Sequence, residues 1–246
     1  MRDDSFILSF SFVKEEGYSL ESNTIRNMIQ NKIRIKVCGI TRLQDALCAI
    51  ESGVDALGFI FYRKSPRYID PEEARLIIEQ LPPFVDVVGV FVDKEREEVE
   101  EIIRYCRLGY VQLHGEESAK YTERLLRFTS PCEVIKAFRV GEQTVSEDFD
   151  PYTPHVKAFL LDTYDKELAG GTGKSFDWSI LPRLGLRKPY MLAGGLDTMN
   201  IEAALQSVRP YGVDVNSGVE MAPGLKDHQL IREFVRIVRE FDEFDV

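Results

Sequence analysis

From residue 31 onward, short β-branched runs alternate with helical patterns, and this alternation limits the possible folds of the 246-residue chain more than any other feature. Strands separated by helices are joined as βαβ units, which build parallel sheets. The first run covers 33–38. It recurs at 54–61 with a helix after Pro71, at 85–92 with a helix over 95–104, and at 110–113 with a helix near 119–128. Runs at 134–138, 156–161, 189–193 and 212–215 supply four more strands, the last followed by a helix over about 227–241. Eight units of about 27 residues each suit a single closed (β/α)8 TIM barrel with eight parallel strands. An open doubly wound sheet is the alternative, but no G-x-G-x-x-G follows the first run. Thr41-x-x-Gln44 has the form of a capping box and predicts the start of the first helix.

Composition narrows the function classes. With 44% apolar residues the chain can bury one sizeable core. A net charge of −10, from 41 acidic and 31 basic residues without long single-sign blocks, argues against a nucleic-acid or anionic-membrane surface. The four cysteines form no C-x-x-C and the three histidines no H-E-x-x-H, so nothing supports a zinc site. Reduced thiols in a cytoplasmic protein are the plain expectation. No apolar stretch approaches the roughly 20 residues of a membrane helix. The expected division is an N-terminal extension over 1–30 and a barrel catalytic domain over 31–246. Residues 6–13 are apolar, but Asp3 and Asp4 precede them and Lys14-Glu15-Glu16 follow without a small-residue cleavage site, which makes a poor signal peptide. Met28, just before the first run, is an alternative start, and no role is assigned to the segment before it.

In a barrel of this kind chemistry belongs at the C-terminal ends of the strands. Strand one ends in Cys38-Gly39-Ile40-Thr41, just before a helix N-terminus whose dipole favours a thiolate. Cys38 is there either a reactive thiol or a small buried hydrophobe. Strand six ends in Leu161-Asp162-Thr163. Asp162 is there a general acid with a pKa raised by burial, or the opening of an Asx turn. The loop that follows carries Gly170-Gly171-Thr172-Gly173-Lys174, and reads as a flexible lid that includes Gly171 and Gly173, or as a plain connector; its spacing is not that of a P-loop. Strands seven and eight end in Ala193-Gly194-Gly195 and Asn216-Ser217-Gly218. Two adjacent small-residue turns, Gly194-Gly195 and Ser217-Gly218, suit a phosphate bound by backbone N–H groups beside a helix N-terminus, or are tight turns chosen for φ > 0 alone, which explains one such loop more easily than the pair. After strand two, Arg67 suits a carboxylate, whereas Arg63 and Lys64 read as solvated charge. His114 and Asp214 are candidate substrate contacts, or satisfied polar groups of the interior.

Taken together, Lys36-Val37-Cys38-Gly39-Ile40-Thr41, Gly58-Phe59-Ile60-Phe61 with Ser65-Pro66-Arg67-Tyr68, Val111-Gln112-Leu113-His114-Gly115 and Leu161-Asp162-Thr163 resemble blocks of the phosphoribosylanthranilate isomerases of tryptophan biosynthesis. So do Gly170 to Lys174 with Phe176-Asp177-Trp178, Ala193-Gly194-Gly195-Leu196, and Val213-Asp214-Val215-Asn216-Ser217-Gly218-Val219-Glu220. The resemblance runs from about Ile33 to the C-terminus. It implies a cofactor-free and metal-free Amadori rearrangement of N-(5-phosphoribosyl)anthranilate to 1-(2-carboxyphenylamino)-1-deoxyribulose 5-phosphate, with Cys38 as base and Asp162 as acid. Arg67 would then hold the anthranilate carboxylate, and the glycine turns the single phosphate of a small-molecule substrate. The protein would be a monomer or homodimer. Asn216 departs from the serine more often found there.

Two other functions fit part of the pattern. The sister isomerase of the histidine pathway acts on an aminoimidazole carboxamide ribonucleotide, but usually carries Asp where Cys38 stands and has a phosphate loop in each half-barrel. A catalytically silent sugar-phosphate-binding barrel would need neither Cys38 nor Asp162.

Overall fold

The computed structural model describes residues 32–163 and 178–244, which belong to a compact unit spanning Lys32–Val246. Residues 1–30, read as an extension, and the lid glycines Gly171 and Gly173 lie outside the described residues.

Eight strands form the core: β1 (Arg34–Val37), β2 (Ala56–Ile60), β3 (Asp86–Phe91), β4 (Tyr110–Leu113), β5 (Glu133–Arg139), β6 (Ala158–Asp162), β7 (Tyr190–Ala193) and β8 (Gly212–Val215). Each pairs in parallel with its neighbours in chain order, and β8 returns to β1, so the sheet is a closed barrel. The expected TIM barrel is therefore present. The strands read as nearly unbroken apolar runs because one face packs on the helices and the other fills the barrel. Ile135, Ala137, Leu160, Met191 and Ala193 fill the interior on the β5–β7 side, and Cys38, Ile60 and Val90 on the β1–β3 side. Lys36, Gln112 and Asp214 are buried polar residues of the same strands.

Helices α1 (Leu43–Ser52), α2 (Pro71–Ile78), α3 (Arg96–Cys106), α4 (Ala119–Thr129), α5 (Ile201–Ser207) and α6 (His228–Phe244) lie outside the strands. Asp70 caps α2 by accepting from the Glu72 N–H at 3.0 Å, with Pro71 in the first turn where its missing N–H costs nothing. The start of α1 corrects the sequence reading. Its N-cap is Arg42, without a side-chain cap, and the expected capping box of Thr41 and Gln44 does not form. The Thr41 hydroxyl instead donates to the Gly224 carbonyl at 2.5 Å, a tie across 183 positions.

Between β5 and β6 the chain makes only two 3-10 turns, Ser146–Asp148 and Thr153–His155, in a stretch where Pro151 and Pro154 remove backbone donors. Aromatic rings pack there in place of a helix. The Phe138 ring lies 4.5 Å from Phe149 and 5.2 Å from Tyr152, and Phe149 lies 5.1 Å from Phe159. A third 3-10 stretch, Trp178–Leu184, precedes β7 and contains Pro182. After β8 a small antiparallel hairpin of β9 (Glu220–Ala222) and β10 (Leu225–Lys226) intervenes before α6.

The seam between β8 and β1 is tied at the N-terminal face. The Ile33 N–H donates to both Asp242 carboxylate oxygens at 3.1 Å, and Arg239 donates to the Ile33 carbonyl at 2.6 Å. Arg239 also reaches Asp55 at 2.9 Å, which in turn accepts from Arg34 and from the Ile35 N–H. Among the described residues no helix is long and apolar enough to cross a membrane.

Candidate active site

At the C-terminal ends of the strands a cavity of about 530 Å³ is lined by Cys38, Arg67, His114, Asp162, Gly194, Gly195, Asp214 and Ser217. Candidate residues named from six separate segments of sequence thus face one space. Gly218 is not among the lining residues, and Gly171 and Gly173 are outside the described residues.

Cys38 directly follows β1, and its N–H donates to the Val215 carbonyl at 2.8 Å, continuing the strand pairing. Its side chain is 4% exposed. Burial pushes the thiol pKa up, and the positive charges of Lys36 and Lys226 offset this only in part. The helix-dipole argument for the thiolate needs correction, because α1 starts only at Leu43 and Gly39 turns the chain between them with φ +75°. Opposite Cys38, on β2, Gly58 leaves the space that the thiol occupies. A Cβ there would stand 2.8 Å from Sγ, 3.1 Å from the Cys38 Cα and 3.1 Å from the Lys36 Cε. Sequence reasoning quoted Gly58 only as part of a block and missed this role; a glycine within an apolar strand was the available signal.

Asp162 ends β6, with its carboxylate Oδ2 3.3 Å from His114 Nε2. His114 Nδ1 is 2.8 Å from Gln112 Nε2. With the amide nitrogen donating, Nδ1 is the acceptor and Nε2 carries the hydrogen that points to Asp162. Gln112 Oε1 is buried and has no partner among the described residues.

Arg67 does not stand alone at the rim. Its Nε lies 2.9 and 3.0 Å from the two Glu220 oxygens and its Nη2 2.7 Å from one of them. Lys226 Nζ closes the circuit at 2.9 Å from Glu220 and 3.0 Å from both the backbone and side-chain oxygens of Asn216. The Glu220 carboxyl is held below its ordinary range: burial opposes this, but the bonds from Arg67 and Lys226 outweigh it. Burial dominates at Lys226 and moves its ammonium pKa down. Glu220 and Lys226 were not identified from sequence, because they belong to a hairpin that no periodicity announces. Asp214 is claimed by Lys36 at 2.8 Å, so it is first a buried ion-pair partner, with an edge on the cavity.

The two glycine turns meet. Gly194 and Gly195 have φ +97° and +67°, open only to glycine at low cost. Gly218 forms a bridge with Asp197, and a Cβ on Gly218 would stand 2.0 Å from the Leu196 carbonyl oxygen. Asn200 braces the first turn by donating to the Gly195 carbonyl at 2.8 Å. The helix N-terminus expected beside these turns is not adjacent: α5 begins at Ile201, and the β9–β10 hairpin follows the second turn. Backbone N–H groups of the turns themselves are what this corner offers an anion. Among the described residues no group of His, Cys, Asp and Glu is arranged to hold a metal ion.

Comparison with known proteins places these features in company. The family model for N-(5'-phosphoribosyl)anthranilate (PRA) isomerase matches residues 35–237. The N-(5'-phosphoribosyl)anthranilate isomerase of Trichlorobacter lovleyi is 49% identical over 209 residues, covering 85% of this chain and 98% of the relative. A crystal structure of phosphoribosyl anthranilate isomerase in complex with reduced 1-(o-carboxyphenylamino)-1-deoxyribulose 5-phosphate is 42% identical, covers 85% of this chain and 99% of its own, and superposes with a TM-score of 0.72. Mutually generated monomers of the dimeric enzyme of Thermotoga maritima are 40% identical, covering 84% and 98%, with a TM-score of 0.72.

Proposed function

The chain belongs to the N-(5'-phosphoribosyl)anthranilate isomerase family and has that activity in tryptophan biosynthesis, and we propose that Cys38 is the base and Asp162 the acid of its reaction. The observation that carries this reading is that one cavity is lined by the thiol after β1, the carboxyl of β6, an arginine and both glycine turns. Arg67, oriented by Glu220, offers its remaining N–H groups to the anthranilate carboxylate. Gly194, Gly195, Ser217 and Gly218 hold the phosphate of the small-molecule substrate through backbone donors. With the ends of the substrate fixed, the ribose lies between Cys38 and Asp162, and Asp214 is placed to accept a hydrogen from one of its hydroxyls.

The protonated Asp162 gives its proton to the furanose oxygen, and the C1–O bond breaks as the anilino nitrogen forms an iminium with C1. That cation acidifies the hydrogen on C2. The Cys38 thiolate takes this proton, and the C–H electron pair forms the C1=C2 bond of an enolamine while the iminium nitrogen recovers its lone pair. Loss of the enol proton and protonation of C1 give the aminoketone and restore the acid and the base. His114 orients the Asp162 carboxyl throughout. No step calls for a metal or cofactor, since side chains supply both proton transfers, and activity is expected to survive a chelator.

The test is to generate phosphoribosylanthranilate in place and follow loss of its fluorescence. Cys38→Ala and Asp162→Asn are each expected to slow turnover by at least ~10²-fold, and full activity in Cys38→Ala removes the base assignment. Residues 31–246 are taken as the catalytic unit, with 1–30 an extension, supported by the extent of the family match. A chain beginning at Met28 should keep its activity and melting temperature. Gly171 and Gly173 are assigned to a lid on the strength of their sequence alone. A cytoplasmic monomer or homodimer is the proposed working state, and the dimeric relative supports considering both.

A further inference from the structure

Lys36 on β1 and Cys38 directly after it are two positions apart, and side chains at that spacing leave an extended chain on the same side. Lys36 is wholly buried, which is rare for lysine and demands a partner. Asp214, directly across on β8, is that partner, with Nζ and Oδ1 2.8 Å apart. Stability alone is a weak reason for such a pair, because apolar side chains of similar volume often serve as well. Its position gives a better one. The Lys36 chain and the Cys38 sulfur crowd the same point, the place a Gly58 Cβ would take, at 3.1 Å and 2.8 Å.

The charges around Cys38 make the argument specific. Lys36 comes from β1, Lys226 from β10 and Arg67 from the loop after β2. Facing them are Asp214 from β8 and Glu220 from β9, while His114 from β4 and Asp162 from β6 stand with Cys38 on the same cavity. Three permanent or buried cations thus meet two paired carboxylates. With Asp162 protonated as the acid, the free site carries an excess positive charge, which favours ionisation of Cys38 against the cost of burial. Burial works against the Lys36 ammonium, yet Asp214 and then Cys38 outweigh it, and its pKa stands above the ordinary value. Lys36 therefore remains charged.

We propose that Lys36 is the positioning residue of proton abstraction: held by Asp214, its ammonium stabilises the Cys38 thiolate inside an otherwise desolvating barrel. The proposal rests on Cys38 being the base.

The experiment measures two pH profiles on the full chain, wild type and Lys36→Gln, whose amide can still donate to Asp214; Lys36→Met is the second variant, and melting curves verify that each is folded. The first profile is the rate of Cys38 alkylation by iodoacetamide, read by mass spectrometry on the Cys38 peptide. The second is kcat. In both variants the alkylation midpoint should rise by about 1–2 pH units, the usual effect of losing an opposite charge at this range. The ascending, acid-side limb of kcat should move with it to higher pH, while KM stays within about twofold. At pH 7 this corresponds to a fall in kcat of roughly 10- to 100-fold that is recovered as the pH is raised. An unchanged alkylation midpoint overturns the proposal whatever Cys38 does in catalysis. A shifted midpoint with an unmoved kcat limb also overturns it, and a fully active Cys38→Ala then traces the failure to the base assignment.

Discussion

Arg67 grips Glu220 through two nitrogens, with Nε–Oε1 at 2.9 Å and Nη2–Oε2 at 2.7 Å, and the residues lie 153 positions apart. A guanidinium pinned in this way presents its free edge in one direction, which is what binding a planar carboxylate needs. Glu220→Gln keeps the shape but removes the charge that fixes Arg67 and balances Lys226. The expected outcome in steady-state kinetics is a KM increase of about 10-fold with a smaller change in kcat. A loss confined to kcat contradicts the assignment of Arg67 to ground-state binding.

Gly58 is an empty place that the site requires. In Gly58→Ala the new methyl meets the Cys38 sulfur at 2.8 Å and the Cys38 Cα at 3.1 Å, so backbone as well as side chain has to shift. Overpacking of this kind costs about 1–3 kcal/mol. Urea unfolding should show that loss, and kcat should fall further than stability alone accounts for, because the displaced atom is the proposed base.

Gly218→Ala should separate the two glycine turns, since a Cβ stands 2.0 Å from the Leu196 carbonyl. Inorganic phosphate is the simplest probe: its competitive inhibition constant is expected to rise by at least ~10-fold. Gly53→Ala is the matched control. It has φ +95° at the end of α1 but nothing within 4 Å, so it should cost about 1 kcal/mol of stability and leave phosphate inhibition unchanged.

With Cys38 as the proposed base, its thiol pKa is expected to set the pH dependence. Burial raises it, and the base is the ionised form, so a higher pKa means less active enzyme at neutral pH. The value of kcat/KM for wild type should therefore climb by up to about tenfold per pH unit from pH 7 towards pH 9. Measuring the profile in a constant-ionic-strength buffer checks this, and a flat profile across that range rules out Cys38 as the titrating base.

The barrel was legible because eight apolar runs, buried on both faces, carry their own period and spacing. Cys38 and Asp162 were legible because each follows such a run at the point where a strand enters the cavity. Thr41 was misread for the opposite reason: a hydroxyl three residues before a glutamine satisfies a local rule, but its actual partner is the Gly224 carbonyl, and no local pattern encodes a contact across 183 positions. The hairpin residues Glu220 and Lys226 were missed on the same ground. Lys36 was hidden differently, since a lysine in a strand reads as solvent-facing until the closure of β8 on β1 puts Asp214 opposite it.

That closure has a consequence for how the protein is made. The Ile33 N–H finds its acceptor in Asp242, 209 positions downstream, and β1 has no second neighbour until β8 has been translated. A nascent chain on the ribosome carries β1 as an unsatisfied edge, and with it the cysteine and lysine of the site, through nearly the whole of synthesis. Chemistry and assembly thus become complete together, when α6 docks and the first strand is drawn against the eighth.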